Sequence, residues 1–351
     1  MITRTFLCPK CNNRLNVQGN IGDKVRIVCS NCGQKGFVVF YKEEPVTKKT
    51  GNAIEIKNLT KYYGKYRGVE DISFSVGHEE IFGLIGPNGS GKTTTIRTCL
   101  GLMSKTSGDI KIYGLDSHKH SVQLRRRMGY LPGDFGLLPN IKVKQYLKFL
   151  LSLSDIKSTK KMEELASRLD LDIKRKTNEL SKGNKQKVGI IQALMADQDL
   201  LILDEPTTGL DPLIQQEFYK ILREEKENGK TVFMSSHILA EVEAVCDRVA
   251  IINEGELRIV EEINVLQEKT GKVLEVEFRD QVNVEEFKLP GVGDIKEDDG
   301  KVIIVIHEHL DSVIKAVSNH KIRNMTLSTY SLEELFLKYY GKKESVEGGA
   351  S

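Results

Sequence analysis

Hydrophobic and polar positions divide the chain into three regimes. Between residues 53 and 260, short β-rich runs alternate with stretches of helical period, the pattern of a sheet covered by helices. The runs Ile81-Phe82-Gly83-Leu84-Ile85 and Leu200-Leu201-Ile202-Leu203 are apolar throughout, as buried strands are. Residues 141–195 are mostly helical by period, with Leu147, Leu150 and Leu151 in one stripe and Leu165 and Leu169 in another. Residues 261–341 read as a small α+β unit, with strands over 273–278, 301–306 and 325–329 and a helix over 310–320. Ser331-Leu332-Glu333-Glu334 then opens a terminal helix over 331–340 as a capping box. Residues 1–40 hold paired cysteines, a strand over 25–28 and the β-rich run Gly36-Phe37-Val38-Val39-Phe40. Residues 41–52 have a linker composition, and the polar tail 342–351 is expected to be disordered.

At 351 residues, with 39% hydrophobic and 29% charged side chains, the chain has a globular composition and room for two or three domains. Collagen-like, disulfide-scaffold and wholly disordered classes are excluded. A formal charge of +3 is too small to argue for a polyanion partner, but residues 1–50 carry nine Lys/Arg against three acids. No apolar run approaches the ~20 residues that span a bilayer; residues 146–153 and 302–306 are the best candidates. Cysteines begin at position 8, leaving no room for the apolar core of a signal peptide. A cytosolic protein is expected, in which six cysteines read as metal ligands or buried thiols before disulfides.

Gly86-Pro87-Asn88-Gly89-Ser90-Gly91-Lys92-Thr93 fits the phosphate-loop pattern at every defined position. An apolar run precedes it, and Thr94-Thr95-Ile96 opens a helical stretch after it, the strand–loop–helix context the motif needs. Backbone N–H groups and the helix N-terminus would hold the phosphates of ATP, Lys92 would reach the β- and γ-phosphates, and the Thr93 hydroxyl would hold Mg²⁺. Asp204, at the carboxyl end of an apolar strand, is placed to serve the same Mg²⁺, and Glu205 beside it to polarise an attacking water.

Between these sites, Leu180-Ser181-Lys182-Gly183-Asn184 resembles the signature segment of the ABC-type ATPases. Gly209-Leu210-Asp211-Pro212 resembles their D-loop, Ser235-Ser236-His237 their switch histidine, and Lys61-Tyr62-Tyr63-Gly64 their adenine-stacking aromatic loop. The resemblance covers residues 53–260 and implies an α/β P-loop ATPase domain with a helical subdomain at about 135–195. It implies that Tyr63 stacks on adenine, that residues 86–94, Thr94 included, surround the phosphates, and that His237 contacts the γ-phosphate. It also implies a nucleotide-bound dimer, of two identical or two related chains. There Ser181, Lys182, Gly183 and Asn184 act on the partner's ATP and Asp211 links the two sites. One departure stands out: Gly133, in Tyr130-Leu131-Pro132-Gly133-Asp134, occupies the place of the family's Q-loop glutamine. Asp134 or a solvent molecule would substitute.

Cys8-Pro9-Lys10-Cys11 and Cys29-Ser30-Asn31-Cys32 have the spacing of a four-cysteine zinc ribbon, and Fe(Cys)₄ has the same ligand set. A segment of some forty residues has too small a core to fold alone, so the metal reads first as a staple and second as part of a recognition module. Cys99 and Cys246, each in helical context, read as buried thiols, and His118, His120, His307 and His309 as surface histidines.

The expected function is an ATPase subunit, peripheral on the inner face of the cell membrane, that powers transport through a separate membrane permease. The C-terminal extension resembles that of exporter-type subunits. Residues 133–138 would dock the permease, and the helix over 331–340 would aid dimerisation or contact that permease. The alternative is a soluble ABC ATPase that reads nucleic acid or ribosomes through the ribbon. Against it stand a single phosphate loop and no long insertion between Lys92 and Ser181.

Overall fold

A computed structural model describes residues 2–39 and 51–329, apart from 9, 12, 21, 155–157 and 299. Most of the linker, the helix over 331–340 and the tail lie outside the described residues. By backbone contacts the chain forms two units, Met1–Lys48 and Lys49–Ser351.

The larger unit is built on a six-stranded sheet. Its order is Met128–Leu131, Leu200–Asp204, Thr231–Ser236, Ile81–Ile85, Arg248–Asn253, Glu256–Glu262, with the first five parallel and the last antiparallel. Because strand side chains alternate, each parallel strand feeds two cores. Ile81, Leu201, Leu203, Val232 and Met234 face one core, and Phe82, Leu84, Leu200, Ile202 and Phe233 face the other. The first core is closed by helices Val143–Ser152, Lys160–Arg168, Lys182–Leu194 and Pro212–Glu227, through Leu147, Leu165, Ile190 and Phe218. The second is closed by helix Lys92–Cys99 and by an antiparallel sheet ordered Tyr66–Val76, Ile54–Tyr63, Ser107–Ile112, Leu115–Asp116. Cys99 and Cys246 are buried, and burial pushes the Cys99 thiol up to about 12.

The first core runs past residue 260, because Ile263 and Leu266 of helix Ile263–Thr270 pack into it. Beyond it, four antiparallel strands follow in the order Val292–Asp298, Lys301–Ile306, Lys272–Phe278, Ile322–Thr329. Helix Leu310–Ser318 covers this sheet through Val313 and Val317, over Leu274, Val276, Val302 and Ile304. The strand Val292–Asp298 escapes a reading of periodicity because it is exposed and acidic, with a register break between Val292 and Ile295.

The smaller unit is two antiparallel hairpins, Ile2–Leu7 with Arg14–Gly19 and Lys24–Val28 with Lys35–Val39. Among the described side chains, Val17 and Val38 are its buried aliphatic ones, with Val25 and Ile27 packed against them.

Candidate functional site

Register brings the chemistry to one edge of the main sheet. Asp204 pairs with Ser235, and Ser236 pairs with Ile85, so the acidic pair, the residues before His237 and the start of the phosphate loop all sit at carboxyl ends of neighbouring parallel strands. Gly91 caps helix Lys92–Cys99 with φ +108, and a Cβ there would stand 2.4 Å from Val69 Cγ1. Only glycine fits, and the loop can then turn its N–H groups toward a cavity of about 300 Å³. Tyr63, Arg67, Asn88, Gly89, Lys92, Thr93, Thr94 and Glu205 line that cavity. Tyr63 is 43% exposed, and its hydroxyl lies 3.1 Å from Thr94 Oγ1.

Lys92, almost fully buried, donates to the carbonyls of Gly86 (2.7 Å) and Pro87 (3.1 Å) and pairs with Glu205 Oε1 at 3.2 Å. The other Glu205 oxygen lies 2.6 Å from His237 Nδ1. One carboxylate thus bridges Lys92 and His237. Glu205 is held in the left-handed region at φ +51, a strained geometry for a side-chain-bearing residue. Its N–H donates to Ser235 O and Oγ, and its carbonyl accepts from Gln186 Nε2 at 3.2 Å.

Asp204 is fully buried. Its Oδ1 accepts from Ser235 Oγ at 2.6 Å, while its Oδ2 has no hydrogen-bond partner. Ser90 Oγ, in the phosphate loop, is likewise buried and unpartnered. The orphaned Asp204 oxygen, one residue before Glu205, which lines the cavity together with Thr93, offers the hard-oxygen donor that fits Mg²⁺. Gly133 lies against this same carboxylate, since a Cβ there would come within 3.3 Å of Asp204 Oδ2. The Q-loop position therefore meets the acid with backbone only, and Asp134 is exposed and does not line the cavity.

Ser181, Lys182, Gly183, Asn184 and Asp211 do not line the cavity either. Ser181 caps helix Lys182–Leu194 by accepting from the Asn184 N–H at 3.2 Å. Asp211 caps helix Pro212–Glu227 by accepting from the Ile214 N–H. Gly183 packs on the D-loop so closely that a Cβ would lie 2.4 Å from the Gly209 carbonyl oxygen.

Two contributors escaped the motif reading. Gln186 is buried and also donates to Pro206 O at 2.8 Å. It occupies the stripe shared with Ile190 and Ala193, where a polar residue at a core-facing helical position was the available signal. Glu241, buried at 4% exposure, accepts from the hydroxyls of Thr207 and Ser236 and so ties the loop after Glu205 to the residue before His237. Its spacing from the buried Val245 carried the same hint.

Residues 69–208 match the ABC transporter family. The bacitracin transport ATP-binding protein BcrA of Bacillus licheniformis is 36% identical over 302 residues, 82% of this chain and 97% of that protein. This chain belongs to the ATP-binding proteins of the ABC transporters. As an ABC transporter ATP-binding protein it is an ATPase with the α/β fold of that family. The linearmycin resistance ATP-binding protein LnrL of Bacillus subtilis is 36% identical over 209 residues, 58% of this chain and 67% of that protein. A solved ATP-binding subunit of an ABC transporter superposes with TM-score 0.57 at 30% identity, covering 62% of this chain and 92% of that one. Among the described residues, no helix of this ABC protein is long and apolar enough to cross a membrane.

In the smaller unit, the Cys8 and Cys32 sulfurs lie 3.5 Å apart and those of Cys11 and Cys29 3.6 Å apart, with all four within 4.8 Å of one another. The Cys32 backbone N–H, with help from that of Asn31, draws the Cys29 thiol down to about 6. Four thiolates this close repel one another unless a cation sits among them, so the cluster fits a tetrahedral metal such as Zn²⁺.

Proposed function

We propose that this chain couples ATP hydrolysis to export through a separate membrane permease, working at the inner face of the membrane as a dimer of ATP-binding subunits. The observation that carries the reading is the Lys92–Glu205–His237 chain at the mouth of a glycine-lined cavity, beside the unpartnered Asp204 oxygen. Adenine stacks on Tyr63, and the phosphates take the N–H groups of the loop and helix start over residues 86–94. Lys92 then exchanges its Glu205 partner for phosphate oxygens. Released from Lys92, the Glu205 carboxylate accepts a proton from a water whose oxygen bonds to the γ-phosphorus, while the bond to the β,γ-bridging oxygen breaks and ADP leaves. His237, oriented by Glu205, donates to the γ-phosphate. Thr93 and Asp204 would hold Mg²⁺, which neutralises charge on the β- and γ-phosphate oxygens. Glu241 positions Glu205 and His237 by fixing the two loops that bear them.

The signature residues Ser181, Lys182, Gly183 and Asn184 stand away from their own chain's cavity. The exposed start of helix Lys182–Leu194 suits a partner's γ-phosphate, with Asp211 between the two sites. Cys8, Cys11, Cys29 and Cys32 hold Zn²⁺ as a structural staple. Names of relatives concerned with bacitracin transport and linearmycin resistance favour export.

The test is to purify the full chain with Mg-ATP in mild detergent from its own cells and identify what accompanies it. A stoichiometric polytopic membrane protein supports the reading. Ribosomal proteins or nucleic acid, without a membrane protein, would replace it with the alternative.

A further inference from the structure

The second hairpin of the smaller unit has two unlike faces. Antiparallel pairing sets Arg26 opposite Phe37 and Val28 opposite Lys35, and residues two apart along a strand share a side. One face therefore carries Lys24, Arg26 and Val28 from one strand with Lys35 and Phe37 from the other. The opposite face carries Val25, Ile27 and Val38, the unit's small core. Lys24, Arg26, Val28, Lys35 and Phe37 are each exposed, Phe37 at 62% and Val28 at 53%. No acid stands on that face, and among the described residues none of its three cations forms an ion pair.

Apart from the Lys24 contact with the Phe37 ring, this face of three cations around an exposed aromatic and an exposed valine packs on nothing in the unit's own core, and it presents a cationic surface with apolar centres. Polar residues would serve a bare metal staple better. The ATP reaction uses none of these residues.

We propose that this face docks on an anionic phospholipid surface, with Lys24, Arg26 and Lys35 at the headgroup phosphates and Phe37 and Val28 in the boundary below them. Charge complementarity selects an anionic partner. The Lys24 ammonium sits 4.8 Å from the Phe37 ring centroid. A nucleic-acid base would have to displace it to stack on that ring face, whereas a headgroup phosphate binds the ammonium where it lies. Such contact would add to membrane attachment independently of a permease, and it goes beyond the coupling of ATP hydrolysis to transport.

The experiment is co-sedimentation of the full, zinc-loaded chain with vesicles of phosphatidylcholine alone or mixed equally with phosphatidylglycerol, at about 0.1 M and about 1 M salt. The expected result is pelleting with the anionic vesicles only, and only at low salt. Each cation contributes a factor of about five, so the triple variant Lys24→Gln/Arg26→Gln/Lys35→Gln loses on the order of a hundredfold. Its metal content and ATP turnover stay unchanged, which separates failure of this proposal from failure of the ATPase reading. Phe37→Ser gives a smaller loss with the same salt dependence. The proposal is overturned if the wild type ignores anionic vesicles, if it binds neutral ones equally, or if the triple variant binds like the wild type. Preference for a single-stranded oligonucleotide over vesicles also overturns it, and gives the face to nucleic acid.

Discussion

The cavity proposed for phosphate and the cysteine cluster proposed for Zn²⁺ are built in opposite ways. The cavity hangs on five parallel strands whose side chains fill two cores, so its geometry is held before any ligand arrives. That rigidity sustains features which would relax on a softer frame: Glu205 at positive φ, an Asp204 oxygen without a partner, and a lysine paired with the residue proposed as the base. The cluster hangs on two hairpins with Val17 and Val38 as the buried aliphatic residues among the described side chains, and some forty residues are too few to hold a fold on their own core. There the proposed Zn²⁺ would supply the stability. One site is prepared for its ligand, and the other is made by it.

Removing metal should produce the largest contrast. A strong chelator, or Cys29→Ser, withdraws binding energy of about 10–16 kcal/mol from the ribbon and should unfold it. Amide exchange over residues 14–38 then becomes fast, while the thermal transition and ATP affinity of the larger unit stay put. Loss of ATP binding on chelation would break the comparison. The reciprocal change is Phe233→Ala, which empties a buried site beside the stacked rings of Phe74 and Phe82, whose centroids lie 5.9 Å and 6.1 Å from its own. It should cost about 3–5 kcal/mol in chemical denaturation of the larger unit and leave metal affinity unchanged. A smaller effect is expected from Glu241→Gln, which keeps the shape but replaces one acceptor with a donor facing hydroxyls. Turnover should fall about tenfold with little change in KM for ATP. An equal rise in KM would point to general loosening of the cavity instead of misplacement of Glu205 and His237.

The same contrast explains what the sequence revealed. Residues acting through the backbone path or through a ligand set leave fixed spacings, so Gly86 to Thr93 and the four cysteines were legible before any fold was known. So were the doubly buried strands, because both their faces demand apolar residues. Gln186 and Glu241 were not, because a polar residue on a core-facing stripe looks like an interruption until its partners are seen across the loop. The strand Val292–Asp298 was hidden by exposure, since only Val292 and Ile295 pack toward the sheet's core and the rest obeys no apolar alternation. The place of Gly133 was predicted, but its consequence, backbone alone against the Asp204 carboxylate, needed the structure.

The most direct test of the central claim is Glu205→Gln, with ATP binding and steady-state hydrolysis measured side by side. Gln keeps the size of the side chain but cannot accept the proton from water, and it frees Lys92 from a competing carboxylate. The account predicts ATP affinity equal to or tighter than wild type, with turnover reduced by at least about 10²-fold. Turnover at the wild-type rate would contradict it, because some other group would then be taking the proton.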